Sequence, residues 1–367
     1  MKQPVALPIE KIRGITYPPP PSITEEATGV AADVLRLNLN ESHLPPSPNA
    51  LAAAAQALTQ TNRYPDHGCS TLTAVISKRT GIPASRISFG NGSGEILVAL
   101  AMLSINEGDE AVMPTPTFPT CGKGVQIAGG KVVSVPVLPD GSNDVVTMLA
   151  AVTPDTRLFY LCTPNNPTGA ILTASDLELA ARQVPDTVLL VVDEAYFEFA
   201  QAEGGPDVLK ILANRAGPWV VTRSFSKAYC MAGMRVGYAL ASDEDIHKAL
   251  WQLRPNFNVN RVAIAAATAA MNDDRYLQTC LTHTISERKR LEIALTLLGF
   301  SALPSFANFL TVVPPVSADI ISSSLAAENI LVQAMPWPGG NGALRITIGS
   351  QSNTDRLILA ISKILEH

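Results

Sequence analysis

From about Ile87 the chain alternates between short apolar, β-prone runs and longer segments with helical spacing. The runs are "RISFG", "EAVMP", "KVVSVPV", "TRLFYLC", "TVLLVVDEAY" and "PWVVTRS". Stretches such as "GEILVALAML" and "ASDLELAARQV" lie between most of them. Apolar runs without polar alternation suit strands buried on both faces, and the intervening helices supply parallel crossovers. The pattern predicts an α/β fold, a large domain whose mostly parallel central sheet is sandwiched by helices. Ahead of it, "YPPPPS" at Tyr17–Ser22 reads as extended polyproline II. "LNESHLPPSP" is turn-rich and "NALAAAAQAL" is helical. From Arg254 the pattern changes. A long helical region containing "ISERKRLEIALTLLG" precedes "NFLTVVP", "ALRITIGS" and a last helix, "TDRLILAISKIL". The expected division is an N-terminal arm over 1–35 that joins the small domain, a large domain over 36–253 and a smaller α+β domain over 254–367.

Composition narrows the function. The 367 residues are 47% hydrophobic and 16% charged, enough apolar surface for two cores and too much for a disordered chain. A net charge of -5 with no basic block argues against a nucleic-acid partner. The start, "MKQPVALPIEKIRG", has no apolar core of a signal peptide, and "VAIAAATAAM" is too short to span a bilayer. A cytoplasmic protein with no membrane partner is expected. The cysteines, 69, 121, 162, 230 and 280, are scattered, as reduced buried thiols are. The histidines show no metal-binding spacing, so no metal is expected.

Ligands of open α/β sheets gather beyond the C-terminal ends of the strands. After "RISFG" comes "NGSGE", a glycine turn into a helix, where backbone N–H groups can approach a phosphate. It lacks the last glycine of a dinucleotide fingerprint, and taken alone it is equally a tight turn. After "TRLFYLC" comes the turn "TPNNPTG" with Asn166. After "VLLVV" comes Asp193, costly to bury unpaired, or else the cap of the next helix. After "PWVVT" comes "RSFSKAYCMAGMRVGY", with Lys227 between small hydroxyl residues and a glycine turn, and Arg235 eight places on.

The order of these segments, with "PTPTF", "DEAY" and "LRITIG", resembles the fold type I pyridoxal-phosphate aminotransferases over nearly the whole chain. The histidinol-phosphate aminotransferase branch is the most similar. The resemblance implies pyridoxal 5'-phosphate as cofactor, bonded covalently to Lys227, whose amine also moves the substrate's α-proton. It implies that Asp193 pairs with the pyridine nitrogen and that Asn166 and Tyr196 hold the phenolic oxygen. Ser224, Ser226 and Arg235, with the amides of Ser93 and Gly94, would hold the phosphate. Phe118 would stack on the ring. Tyr64, in "NRYPD", would reach the phosphate of a neighbouring subunit, which implies a homodimer with shared sites. Arg345 would clamp the substrate carboxylate, or the phosphate of histidinol phosphate, with Asn166 nearby, and Tyr17 would close over the substrate. Without the resemblance, Phe118 reads as a core aromatic, Tyr64 as a turn residue and Arg345 as an edge-strand residue.

The chain departs from that branch where a second arginine is usual. The segment reads "NILVQAMPWPGG", and the matching residue is Gln333. A neutral amide there predicts a ping-pong aminotransferase that prefers a neutral or aromatic amino acid to a phosphorylated substrate, with a 2-oxo acid as acceptor. Arg254 or Arg13 could replace the missing charge, which keeps histidinol phosphate open as substrate. A decarboxylase or lyase on the same scaffold, a non-catalytic cofactor-binding protein, and a nicotinamide-dependent oxidoreductase resting on the glycine turn also remain open.

Overall fold

A computed structural model describes residues 34–366. Tyr17, Arg13 and all of the expected arm except its last two residues lie outside them. Strand β1 is Leu35–Arg36. The larger sheet consists of β2 (Ile87–Gly90), β3 (Glu110–Thr115), β4 (Lys131–Pro136), β5 (Thr156–Cys162), β6 (Leu189–Asp193), β7 (Trp219–Ser224) and β8 (Gly237–Ala241). Their spatial order is β2-β8-β7-β6-β5-β3-β4. Only β8 runs against the direction of the other six strands of this sheet. The apolar runs thus form a mostly parallel sheet. The exception is β8, which begins with the last two residues of the "MRVGY" motif and was not expected as a strand.

Side-chain alternation splits the sheet into two cores. Phe159, Leu161, Leu190, Val192, Val221 and Leu240 face one layer of helices. Leu158, Tyr160, Leu189, Val191, Val220 and Ala239 face the other. Burial on both faces is why these strands show no polar alternation. One layer includes the helix Arg261–Met271, packed on the alanine-rich helix Pro48–Leu58. The expected boundary at 253/254 falls before this helix, yet its Ala263, Ala266 and Ala267 belong to the larger sheet's core. Small side chains allow the two helices to approach closely.

The smaller sheet is antiparallel, in the order β12 (Gln333–Met335), β13 (Ala343–Thr347), β10 (Phe309–Val313), β9 (Ser301–Ala302). Strand β11 (Ile330–Leu331) pairs in parallel with β1. The first described segment is therefore fixed beside residues nearly 300 positions downstream in the chain, through Leu35↔Ile330 and Arg36↔Leu331. Helices Ala318–Ala327 and Gln351–Leu365 close this second core over Leu310, Leu344 and Ile346. None of the helices among the described residues is long and apolar enough to cross a membrane.

At the end of β6 the same alternation separates two adjacent acids. Asp193 points to one face of the sheet. Glu194 points to the other, where it forms a buried ion pair with Arg223 at 2.8 Å. Arg223 in turn lies over the Phe197 ring. Next to this pair, Glu198 is buried with its Oε2 unpartnered. Burial raises its pKa to about 7, with the backbone and Arg223 opposing the rise. A carboxyl whose folded pKa lies above its unfolded value stabilises least at high pH. The penalty sets in as pH rises through the unfolded value and is complete above the folded one. Glu198→Gln is therefore expected to stabilise the protein at pH 8 by up to roughly 3 kcal/mol and to change nothing at pH 4, read by denaturant unfolding at both pH values.

Candidate active site

The C-terminal ends of β2, β3, β5, β6 and β7 surround a cavity of about 630 Å³. At its floor is Asp193, 2% exposed, with Oδ2 accepting from Tyr160 Oη and Oδ1 from Thr222 Oγ1, both at 3.0 Å. Tyr160 and Thr222 come from the strands on either side of β6 and share its face, so the sheet register supplies both hydroxyls. Burial pushes Asp193 up to about 6, opposed by the hydrogen bonds from Thr222, Tyr160 and the Ala195 amide. The two hydroxyls are neutral donors, and the site is electrostatically suited to a cation against this carboxylate.

Lys227 lies in the turn after β7. Its Nζ donates to the backbone carbonyl of Asn40 at 3.0 Å. Burial, then the charge of Arg345, pushes its pKa down to about 8, with Glu41 opposing and Arg235 adding to the fall. An amine that loses its proton this far below the range of a solvated lysine is a more competent nucleophile and base near neutral pH.

A third corner is shaped for an anion. The helix Ser93–Ser104 begins at Gly92 with no side-chain cap, which leaves its first amides free. Arg235 faces them, with Nη1 donating to Ser226 Oγ at 3.4 Å and Nη2 to Asn91 O at 3.0 Å. Arg235 has φ +59 and Gly92 φ +78. A Cβ on Gly92 would lie 2.4 Å from Arg235 Nη2, so the close approach requires glycine there. Ser224 Oγ accepts from the Ser226 amide at 3.1 Å.

The wall opposite is formed by the smaller sheet. Arg345, on β13, donates to Asn166 Oδ1 at 2.7 Å and to Asn38 O at 2.6 Å, and its buried Nε has no partner. Tyr196 packs edge-on against Phe309 at 5.3 Å, and its Oη accepts from Asn40 Nδ2 at 3.0 Å.

A covalently competent lysine, a buried carboxylate and an anion cradle now share one cavity. The sequence model of the family described as Aminotransferase class I and II matches residues 32–361. The chain belongs to this family. It is 37% identical over 359 residues to Histidinol-phosphate aminotransferase 2 of Carboxydothermus hydrogenoformans, which covers 98% of each chain. It is also 37% identical over 324 residues to the Aromatic amino acid aminotransferase of Rhodococcus jostii, 88% of each chain. Among solved structures, histidinol-phosphate aminotransferase from Sinorhizobium meliloti in complex with pyridoxal-5'-phosphate has a TM-score of 0.89 at 29% identity, covering 97% of each chain.

In this aminotransferase the cavity brings together Ser93, Gly94, Phe118, Asn166, Asp193, Tyr196, Ser224, Ser226, Lys227, Arg235 and Arg345. Two expected residues are elsewhere. Tyr64 is 77% exposed and stacks on Phe257 with ring centroids 4.5 Å apart, outside the cavity of its own chain. Gln333 lies directly across from Arg345 in the β12–β13 pair, half-buried, with its Nε2 donating to Ala334 O. Residues not foreseen are Asn38, Asn40, Glu41, Tyr160 and Thr222. The asparagines had a faint signal, polar positions alternating with leucine in "RLNLNES".

In the cofactor-free enzyme, labelling of Lys227 by trinitrobenzenesulfonate is expected to show a midpoint near pH 8. Arg345→Gln should raise that midpoint, because the strongest repelling charge is lost. Peptide mass spectrometry across a pH series reads both, and a wild-type midpoint at about 10.4, the value of a solvated lysine, would contradict the burial argument.

Proposed function

We propose that this enzyme transfers the amino group of a neutral or aromatic, non-phosphorylated amino acid to a 2-oxo acid, with pyridoxal 5'-phosphate held in the cavity. The residues present fit that group. The uncapped helix start, Arg235, Ser224 and Ser226 suit its phosphate, and the desolvated Asp193 suits a protonated ring nitrogen. Asn166 has its Oδ1 committed to Arg345, which leaves its Nδ2 to donate to the phenolic oxygen beside Tyr196. Phe118, which lines the cavity, would stack on the ring. When bound, the cofactor supplies the aldehyde that receives the amino group and a ring that withdraws electrons from the substrate's α-carbon. Lys227 Nζ holds the cofactor and moves the proton at that carbon. Arg345 binds the substrate carboxylate through the donors that Asn166 and Asn38 leave free, including the unpartnered Nε. Its fork matches a planar carboxylate.

The observation that carries the substrate class is the pairing of Gln333 with Arg345. Residues directly opposite in an antiparallel pair share a face, with Cβ atoms about 5 Å apart. An arginine at 333 would add a second guanidinium beside the first, whereas glutamine adds a neutral amide. Among the described residues lining the cavity, the arginines and lysines are Lys227, Arg235 and Arg345, and Arg235 belongs to the cofactor phosphate. Arg254 is tied to Asn258 and Cys69 and does not line the cavity. The aromatic amino acid aminotransferase among the relatives supports this class, and the several histidinol-phosphate aminotransferases support its rival.

The working unit is proposed to be a cytoplasmic homodimer, in which the exposed Tyr64 reaches the partner's phosphate site; the five free cysteines suit a reducing compartment. Hybrids of Lys227→Ala and Tyr64→Phe chains should then contain one wild-type site, seen as recovery of tight cofactor binding in half the sites.

Phenylalanine is expected to exceed histidinol phosphate in kcat/KM in the wild-type enzyme. Gln333→Arg should raise kcat/KM for histidinol phosphate by about ten- to a hundredfold, the worth of one charge-assisted hydrogen bond, and leave phenylalanine much less affected. A wild-type enzyme that prefers histidinol phosphate by a wide margin would overturn the assignment.

A further inference from the structure

Asn40 occupies a position that the family motifs did not single out. It is 2% exposed, lies at the cavity wall, and has φ +55. Its carbonyl accepts from Lys227 Nζ and from Asn308 Nδ2, each at 3.0 Å, which uses both lone pairs. Its side-chain Nδ2 donates to Tyr196 Oη at 3.0 Å. Its amide donates to Thr347 Oγ1 at 2.9 Å, and Thr347 Oγ1 donates back to Asn40 Oδ1 at 3.3 Å. One residue thus touches the lysine, the tyrosine and the last strand of the smaller sheet.

The direction of the tyrosine bond matters. Because Asn40 is the donor, Tyr196 Oη is the acceptor and its own hydrogen remains to be given elsewhere. The Oδ1 contact from Thr347 fixes the amide so that nitrogen, not oxygen, faces the phenol. A residue at this point must also tolerate a left-handed backbone, which asparagine does better than most side chains.

We propose that Asn40 is a positioning residue for the transamination, acting through Tyr196: it turns the phenol's hydrogen into the cavity, towards the bound cofactor's phenolic oxygen. A second consequence follows from the backbone. The Asn40 carbonyl is the resting place of the Lys227 amine, a role any residue with the same backbone conformation would fill. The inference rests on the proposed roles of Lys227 and Tyr196.

The two roles separate experimentally. Asn40→Gly keeps the carbonyl and suits the left-handed backbone, but removes the donor to Tyr196. Its kcat should fall about tenfold, near the worth of one hydrogen bond, with KM little changed. In a Tyr196→Phe background the same substitution should have no further effect. The pH midpoint of the cofactor-loaded enzyme's absorbance should shift in the same direction in Asn40→Gly as in Tyr196→Phe. The labelling midpoint of Lys227 in the cofactor-free enzyme should stay at the wild-type value. An equal loss of kcat in both backgrounds, or an unmoved absorbance midpoint, would overturn the proposal. Should Asn40→Gly not fold, Asn40→Asp replaces the donor with an acceptor of equal size. It must then show the same non-additivity with Tyr196→Phe, and additivity would overturn the proposal equally. Lys227→Ala is the control for the underlying reading. If that variant retains the loaded enzyme's absorbance, Lys227 is not the cofactor lysine, and the function assignment fails independently of Asn40.

Discussion

A carboxylate buried at the end of the central strand is the constraint around which this enzyme is arranged. Asp193 is out of water, with two hydroxyls for company and no cation among its hydrogen-bond partners. Desolvation of this kind is tolerated only when the surroundings are fixed and a compensating charge can arrive. The fold meets the first condition through register. Tyr160 and Thr222 sit on flanking strands, on the face that Asp193 shares, so an intact sheet places all three without adjustable loops. The second condition explains why the anion cradle and Lys227 gather at the same edge. In the proposed reading each would hold another part of a ligand whose ring nitrogen neutralises Asp193.

The other half of the cavity depends on a short irregular segment. Residues 37–40 run beside the end of β13, where Leu37 accepts from the Thr347 amide and Asn38 from Arg345. Asn40 then reaches Lys227 and Tyr196. The segment uses main-chain carbonyls to hold two of the three cationic side chains of the cavity, Lys227 and Arg345. Backbone acceptors keep Arg345 and Lys227 in place without a carboxylate hydrogen-bonded to either, and Arg345 depresses the basicity of the lysine, with Glu41 opposing.

These two halves differ in how plainly the amino-acid sequence reports them. Apolar runs such as "TRLFYLC" and "VLLVVD" became β5 and β6 because strands buried on both faces have no other composition available. The chemistry at their ends could be read because the candidate residues lie at the strand end or within four residues of it, as Asp193, Lys227 and Asn166 do. Strand β8 was not legible: it begins at Gly237 just after the Arg235 turn, and "GYALA" carries no β-branched residue to mark a strand whose partners lie in β2 and β7. Asn38 and Asn40 were missed for a different reason. Their contribution comes largely from the main chain, and a carbonyl carries no residue-type signature. Tyr160 and Thr222 looked like ordinary members of apolar strands, since only the register reveals what they face. Gln333 stood out by its departure from a family pattern, and its relation to Arg345 emerged only with the β12–β13 pairing.

The bonds from Asn40 to Thr347 and from Arg345 to Asn38 each join residues 307 positions apart. Contacts this distant are among the slowest to form, because the intervening chain must first be ordered. A nascent chain that has already built the larger sheet, with Asp193 and Lys227 in place, still lacks Arg345 and the anchor that seats Asn40. The cavity wall that the smaller sheet supplies is therefore completed last, when β13 docks beside residues 37–40.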